Sequence, residues 1–502
     1  MAATRGRLPW LGVFVLLLAA CSAPDQLDGA DAGRTLVYNA EEPTFDLDAR
    51  VRFAGQPASD DASAPHVPDL HVPALHVPAL HVPALHVMVS LDPATLVAEA
   101  DGMDGERQRV RYQLAVVARD AESNRVLREQ VWTDTLRAGS PEAVRALPLV
   151  LHETELQLGP GTYLLEARLD DLSAESEGVR RMRIQVPSDP QAPRLGRLVV
   201  ASKQAGRWVP YLGRSMAVSP ESLHVRAEVV GEAAEVALRI EQLPSDTTVA
   251  RPPHWLAPSR GSVVYQGVRM SEPTVVHDMV QAHTGGAAAL SFSVPPLVPG
   301  LYRLQLQWHN TEGGNEESSQ GEGAPQRVDA ELSVRHLAVF APGHPRVDSV
   351  ERLIESLAYL AYERERAYIL DGDTPEEQRR RFDAFWGTLL GDRRVAANVL
   401  RLYYERVEEA NRRFSTVKEG WKTDRGMLFI LLGPPTYVER EAQRRTWYYG
   451  SGLRQDASAF TFVEVDDFGQ PPGWQPFQLQ RRAAYEAVWA QALRRWRSGR
   501  MR

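Results

Sequence analysis

The stretch EGWKTDRGMLFILLGPPT, Glu419–Thr436, decides how the C-terminal third of this chain is read. It packs a tryptophan, an arginine, three glycines and two prolines between a helical and a strand-like region. The helix before it must stop, and Gly420 supplies a residue able to take the left-handed conformation of helix ends. Trp421 is large enough to plug the junction between that helix and a following sheet. Thr423 and Asp424 accept from backbone N–H groups two or three residues on, which predicts a tight turn. Arg425 is placed to fork onto a carboxylate, and Gly426 releases the chain into MLFILL, read as a strand. Gly433, Pro434 and Pro435 then end that strand sharply. Each conspicuous residue has a structural task, so the loop is expected to be a fold joint, with any binding groove at its rim.

Working outward, VDSVERLIESLAYLAYERERAYIL has helical spacing at Val350, Leu353, Ile354, Leu357 and Leu360. DTPEEQRRRFDAFWGTLLG opens with a capping box from Thr374 to Glu377, has Pro375 at its first helical position, and ends near Gly391. DRRVAANVLRLYYERVEEANRRF is a third helix with Asp392 as N-cap. Beyond the loop, RTWYYG and SAFTFVEV read as strands, and a last amphipathic helix runs from about Arg481 to Arg497. Its apolar stripe is Tyr485, Val488, Trp489, Ala492 and Trp496. Core packing with a solvated basic face is the expected use of that helix; lying on anionic lipid is the other. Residues 346–502 are thus an α+β domain with a helical first half and a small antiparallel sheet.

GWKTDRG, together with FDAFWGTL, YYERVEEANRRF, GMLFILLGPPT, RRTWYYG, AFTFVEV and WRSGR in that order, resembles the GWxTD domain. This is an uncharacterised module of bacterial envelope proteins, and the resemblance spans roughly Val347 to Arg502. It implies an envelope setting, with a lipoprotein signal and preceding β domains, and it implies no particular reaction.

The residues themselves offer little for catalysis. Positions 346–502 hold no histidine and no cysteine, which removes the imidazole base, the thiolate nucleophile and most zinc sets. The Gly-x4-Gly-Lys-Ser/Thr phosphate cradle is missing as well. A carboxylate pair of Asp424 with Glu439 or Glu464 is the remaining acid–base arrangement, and nothing in the spacing singles it out. No catalytic, cofactor or metal site is therefore expected. Six of the eleven tryptophans lie in this region, among many arginines, a composition that interfaces enrich. The expected function is a non-enzymatic scaffold or binding lipoprotein whose C-terminal domain docks an envelope protein or cell-wall polymer. The alternative is a carboxylate-dependent hydrolase acting on an envelope polymer.

The N-terminal region reads differently. Arg5 and Arg7 precede Leu11–Ala20, an apolar run too short to span about 30 Å of hydrocarbon. It ends in Leu18-Ala19-Ala20-Cys21, which reads as a bacterial lipobox whose cysteine takes up diacylglycerol. Cys21 is the only cysteine in 502 residues, so no disulfide can form within the chain. Residues 1–21 are the leader and lipobox, and 22–43 a flexible tether. The expected location is the bacterial envelope, lipid-anchored, at the outer membrane facing the periplasm. The net charge of −8 carries no nucleic-acid footprint, and oligomeric state is left open.

Residues 44–190 and 195–342 each show short alternating segments separated by turn residues, which predicts two immunoglobulin-like β-sandwiches in tandem. LGPGTYLLEARL (Leu158–Leu169) and LVPGLYRLQLQW (Leu297–Trp308) match, each with Pro-Gly before a strand and a tyrosine two residues later. A low-complexity insert at 66–87 repeats HVPAL and spaces His66, His71, His76, His81 and His86 five apart. Its prolines favour polyproline II geometry, in which successive histidines stand about 15 Å apart and turn to different sides. A tandem copy of the LHV that opens the next strand is the expected origin, not a metal site. Asn310–Gln326, charged and Gly-rich, is expected to be a hairpin loop.

Overall fold

The computed structural model describes residues 43–52, 84–102, 107–174, 176–189, 192–204, 207–213, 215–217, 223–256, 272–309, 333–441, 443–450, 459–464 and 477–501. The leader with Cys21, the tether up to residue 42, the repeat up to residue 83 and the segment 310–326 lie outside the described residues.

The first β region pairs two sheets. Ala84–Leu91 runs between Phe45–Arg52 and Val150–Gln157, antiparallel to both. In the facing sheet Gln108–Asp120 is central, with Val126–Ala138 on one side and Gly161–Asp171, then Ser176–Val186, on the other. The alternation of the sequence is the cause. Val110, Tyr112, Leu114, Val116 and Ala118 all point inward and are fully buried with Leu85, Val87 and Val89 of the opposite sheet. His86, the last histidine of the repeat, is part of the Ala84–Leu91 strand, buried, with its Nε2 3.7 Å from the Glu153 carboxylate.

The second β region repeats the wiring. Leu223–Gly231 runs between Val199–Gln204 and Gly286–Val294. Ala234–Leu243 is central in the facing sheet, between Thr274–His283 and Gly300–His309, and Ser333–Phe340 follows. The matched tyrosines occupy equivalent places. The Tyr163 hydroxyl donates to the Gly159 carbonyl at 2.7 Å, and the Tyr302 hydroxyl donates to the Val298 carbonyl at 2.7 Å. Each ring is buried while its hydroxyl pins the turn four residues back, a corner that recurs in sandwich folds. Two sheets with the same strand order and the same corner bear out a mostly β N-terminal region.

The C-terminal region is α+β. Helices Val350–Ser356, Glu363–Leu370, Pro375–Leu390 and Arg393–Phe414 are followed by Asp424–Leu432, and Tyr485–Arg497 comes last. Tyr437–Glu441, Arg444–Tyr448, Ala459–Glu464 and Phe477–Leu479 form an antiparallel sheet in that order. Several expectations need correction. MLFILL is a helix, not a strand: Thr423 caps it, and Met427 to Leu431 are all fully buried. A short apolar run enclosed on every side has no polar face, so periodicity cannot separate strand from helix. The first predicted helix is broken by a single 3-10 turn at Leu357–Tyr359. Thr374 does cap the Glu377 N–H, but the Glu377 carboxylate is held by Arg381 at 2.8 Å. The last helix starts at Tyr485, not near 481, because Arg481 is drawn to a buried carboxylate. Its apolar stripe is packed in the core, as expected, which leaves no apolar face to lay into lipid: Tyr485, Trp489, Ala492 and Trp496 are buried. Among the described residues no helix is long and apolar enough to cross a membrane.

The corner hydrogen bonds give a simple test. Tyr163→Phe and Tyr302→Phe keep the ring and delete one donor, so each should cost about 0.5–1.5 kcal/mol in urea denaturation. Equal stability of both variants and the parent would show that the corners contribute nothing.

Candidate functional site

The Arg393–Phe414 helix ends on Ser415, whose backbone is extended, so Gly420 is not its terminator and does not take a positive φ. Gly420 instead opens a 3-10 turn, Gly420–Lys422, pressed against that helix. A Cβ on Gly420 would lie 1.9 Å from the Ala410 carbonyl oxygen, and one on Gly426 would lie 1.9 Å from the Gly420 carbonyl oxygen. Both glycines serve close backbone approach, not a turn. Asn411 secures the contact, accepting from the Trp421 N–H at 3.1 Å and donating to the Pro345 carbonyl at 3.0 Å. The Ser415 hydroxyl accepts from the Gly420 N–H at 2.8 Å. Thr423 is an N-cap: its hydroxyl donates to the Gly420 carbonyl at 2.7 Å and accepts from the Gly426 N–H at 3.0 Å.

Trp421 is 2 % exposed, and the Tyr359 hydroxyl donates to its carbonyl at 2.7 Å. Its indole N–H donates to Glu419 at 3.2 Å, and the Lys422 ammonium stands 5.2 Å from the ring. Glu419 is ion-paired with Arg352 and Lys422, each at 2.8 Å. Burial pushes the Glu419 carboxyl up, but those two cations outweigh it and hold the group below its ordinary value.

Asp424 is fully buried at the start of the central helix, where the helix dipole favours a carboxylate. It accepts from the Leu479 N–H at 2.8 Å and pairs with Arg481 at 2.7 Å. The proposed partners stand elsewhere: Glu439 is exposed and accepts from the Tyr448 hydroxyl at 2.8 Å, and Glu464 ends a sheet strand. Arg425 stacks on the rings of Phe414 and Phe477, 5.1 Å from each. Gly433, at φ 86°, ends the central helix and not a strand, with Pro434 and Pro435 following. Arg406, buried, donates to the Ile430 carbonyl at 3.1 Å, and the Trp496 indole donates to the Leu431 carbonyl at 2.9 Å. Burial lowers the Arg406 guanidinium to about 10. The negative end of the helix dipole faces that cation.

The loop also grips the second sandwich. The Lys418 ammonium pairs with Asp246 at 2.9 Å and donates to the Thr248 carbonyl at 2.8 Å, with both side chains nearly fully buried. Burial raises Asp246, but Lys418 and Thr248 outweigh it, so its carboxyl is held low. The Ala250 N–H donates to the Lys422 carbonyl at 3.0 Å, and the Arg482 N–H donates to the Pro253 carbonyl at 3.2 Å. Arg481 donates to the Arg251 carbonyl at 3.1 Å, and Ala250 is buried in the C-terminal core. The segment from Asp246 to Pro253 is therefore a strap, laid by the second sandwich across the loop. On the other flank Arg413 donates to the Thr95 carbonyl of the first sandwich at 3.4 Å. Sequence reasoning missed Asn411, Lys418, Arg406, Arg481 and the strap. The scarcity of lysine, three in the whole chain, is the one signal that could have drawn attention to Lys418. Among the described residues no group of three or more His, Cys, Asp or Glu is placed to hold a metal ion.

Residues 326–498 match the family model of the GWxTD domain, so the strap lies upstream of the matched region. No curated protein matches the chain. Among solved structures, red sea bream transglutaminase is similar at 12 % identity with a TM-score of 0.13, covering 51 % of this chain and 29 % of its own. A calcium-binding mutant of Bacteroides uniformis beta-glucuronidase 2 is similar at 11 % identity with a TM-score of 0.17, covering 59 % and 33 %. The chain thus spans about a third of the length of either. Superpositions of that quality place no constraint on fold or activity.

Breaking the joint should unfold more than the loop. Trp421→Ala should cost about 3–5 kcal/mol as a core truncation. Because the strap ties two cores together, the second sandwich and the C-terminal domain should lose structure in one calorimetric transition. Lys418→Met strands a buried carboxylate and should cost about 3–5 kcal/mol, while Lys418→Met with Asp246→Leu should recover most of it. Two separate transitions, or no recovery, would contradict the clamp.

A second test uses pH. His344 is packed on Phe340 and faces Glu419, Arg352 and Arg412; burial, partly opposed by Glu419, pushes its imidazole down to about 4. Burial likewise takes His336 to about 4. A lowered folded value means the unfolded chain binds more protons, so stability is lost as pH falls from 6.5 towards 4. The low-held carboxylates of Asp246 and Glu419 add a further loss below their ordinary 3.8 and 4.5. His344→Phe should flatten the upper limb of the urea midpoint against pH. An unchanged slope would refute this origin.

Proposed function

We propose that this chain, which carries a GWxTD domain in its C-terminal part, is an envelope lipoprotein of scaffold type. Cys21 takes the lipid, the two sandwiches act as spacers, and the C-terminal domain docks a protein or cell-wall polymer at the outer membrane, on its periplasmic side. The observation that carries this reading is where the signature's polar groups go. Thr423 is spent on a cap, Asp424 on Leu479 and Arg481, Glu419 on Arg352 and Lys422, and Lys418 on the strap. A loop whose Lys418, Glu419 and Asp424 charges are committed to backbone and ion-pair partners works as a fastener. Contact with a partner then falls to outward aromatic and arginine side chains, such as Tyr368, 62 % exposed under the Arg381 guanidinium.

Feeding a palmitate analogue to cells that express the chain tests the anchor. The parent should be labelled and membrane-associated, and Cys21→Ala should lose both properties; label in neither form would sink the anchor. Asp424→Asn separates the two functional classes. On the scaffold reading it loses stability and partner capture together, in crosslinking from intact envelopes. Loss of an envelope-polymer hydrolysis with stability unchanged would establish the hydrolase alternative instead.

A further inference from the structure

One end of the C-terminal domain gathers arginines that, among the described residues, no ion pair neutralises. The final helix stops where the Arg393–Phe414 helix begins: a Cβ on Gly499 would meet the Val395 side chain at 2.5 Å. Arg393 and Arg394 are the first two residues of the long helix, Arg494 and Arg495 lie in the last turn of the final helix, and Arg500 follows it. All five are exposed, and among the described residues none of them makes an ion pair. Their neighbour Arg497 shows the contrast, since it is paired with Glu365 at 2.8 Å.

The placement runs against local electrostatics. Arginines at the end of the final helix suit the dipole there, but the first turn of the long helix has no acid and two arginines at its positive end. Asp392, the nearest carboxylate in sequence, is spent on the N–H groups of Arg394 and Val395. The Asp392 carboxylate offsets the positive helix end and part of the arginine charge, and the five arginines still leave a net positive field, which raises the energy of the isolated domain and falls when an anionic surface covers it. Insertion into a bilayer is ruled out, because the apolar stripe of the final helix is already in the core. What is left is a contact with charge at a surface.

We infer that this arginine end docks on anionic phospholipid headgroups, giving the chain a second, electrostatic hold on the membrane. The choice of lipid over another polyanion rests on the Cys21 anchor proposed above, which ties the chain to a bilayer. Basic residues at an anionic leaflet each strengthen binding about fivefold, an effect that fades within a Debye length of about 8 Å at physiological salt.

The test uses the chain from Ser22 onward, which holds the whole compact unit Thr35–Met501 and neither leader nor lipid. Its outcome is therefore independent of whether Cys21 is acylated, which labelling decides separately. Co-sedimentation with phosphatidylcholine vesicles containing about a third phosphatidylglycerol should show binding that pure phosphatidylcholine does not, and that weakens as salt rises. Arg393→Gln with Arg394→Gln should weaken it about 25-fold, at two factors of about five, with the melting temperature unchanged or raised. Adding Arg495→Gln and Arg500→Gln should abolish it. Equal binding to both vesicle types, or binding that the four substitutions leave intact, overturns the proposal. So does retention on heparin, sensitive to the same substitutions, without any vesicle binding: the surface would then be a site for a soluble polyanion.

Discussion

Three backbones touch at the centre of the C-terminal domain, and they can do so only because two residues lack side chains. The 3-10 turn at Gly420 lies on the long helix at Ala410, and the central helix lies on the turn at Gly426. Neither position has room for a methyl group. The contact sets the distance between the long helix and the buried central helix, and with it the space that Trp421, Phe414 and Phe429 fill. Close approach of main chains also brings their polar groups out of water, so each must find a partner. Asn411 and Ser415 at the end of the long helix, Thr423 at the cap of the central one and Tyr359 in the 3-10 turn at Leu357–Tyr359 supply those partners.

Buried charge then determines how this core meets its surroundings. Asp424 with Arg481, and Lys418 with Asp246, are ion pairs out of water. Such pairs add little net stability because desolvation offsets attraction, but a wrong arrangement would leave a bare charge inside, which costs several kcal/mol. They therefore select one docking geometry. Arg481 carries the selection further, since it holds Asp424 and the Arg251 carbonyl at once. The C-terminal core thus includes residues contributed by the second sandwich, and the matched domain by itself lacks part of its own packing.

The sandwiches carry their own repeat of the same logic. The inward side chains of alternating strands build each core, and a buried tyrosine in each ties the strand start to the preceding turn. Shared strand order and a shared corner make the two regions versions of one design.

Much of this was legible in the residues. Alternation at Val110 to Ala118 and the Pro-Gly-x-Tyr pairs marked the β regions, because a strand's two faces meet different solvents and leave a period of two in the chain. Asp392, Thr374 with Pro375, and Gly391 marked helix ends, because capping is local chemistry between neighbours. The burial of Trp421 followed from its size. The tertiary structure alone decided that MLFILL is a helix, that Gly420 and Gly426 serve close contact, and that Asp424 meets Arg481. It also brought Asp246 to Lys418, 172 residues away. The reason is common to all of these. A fully enclosed segment shows no polar face to read, and a buried charge or a missing side chain states a need without naming the distant residue that meets it.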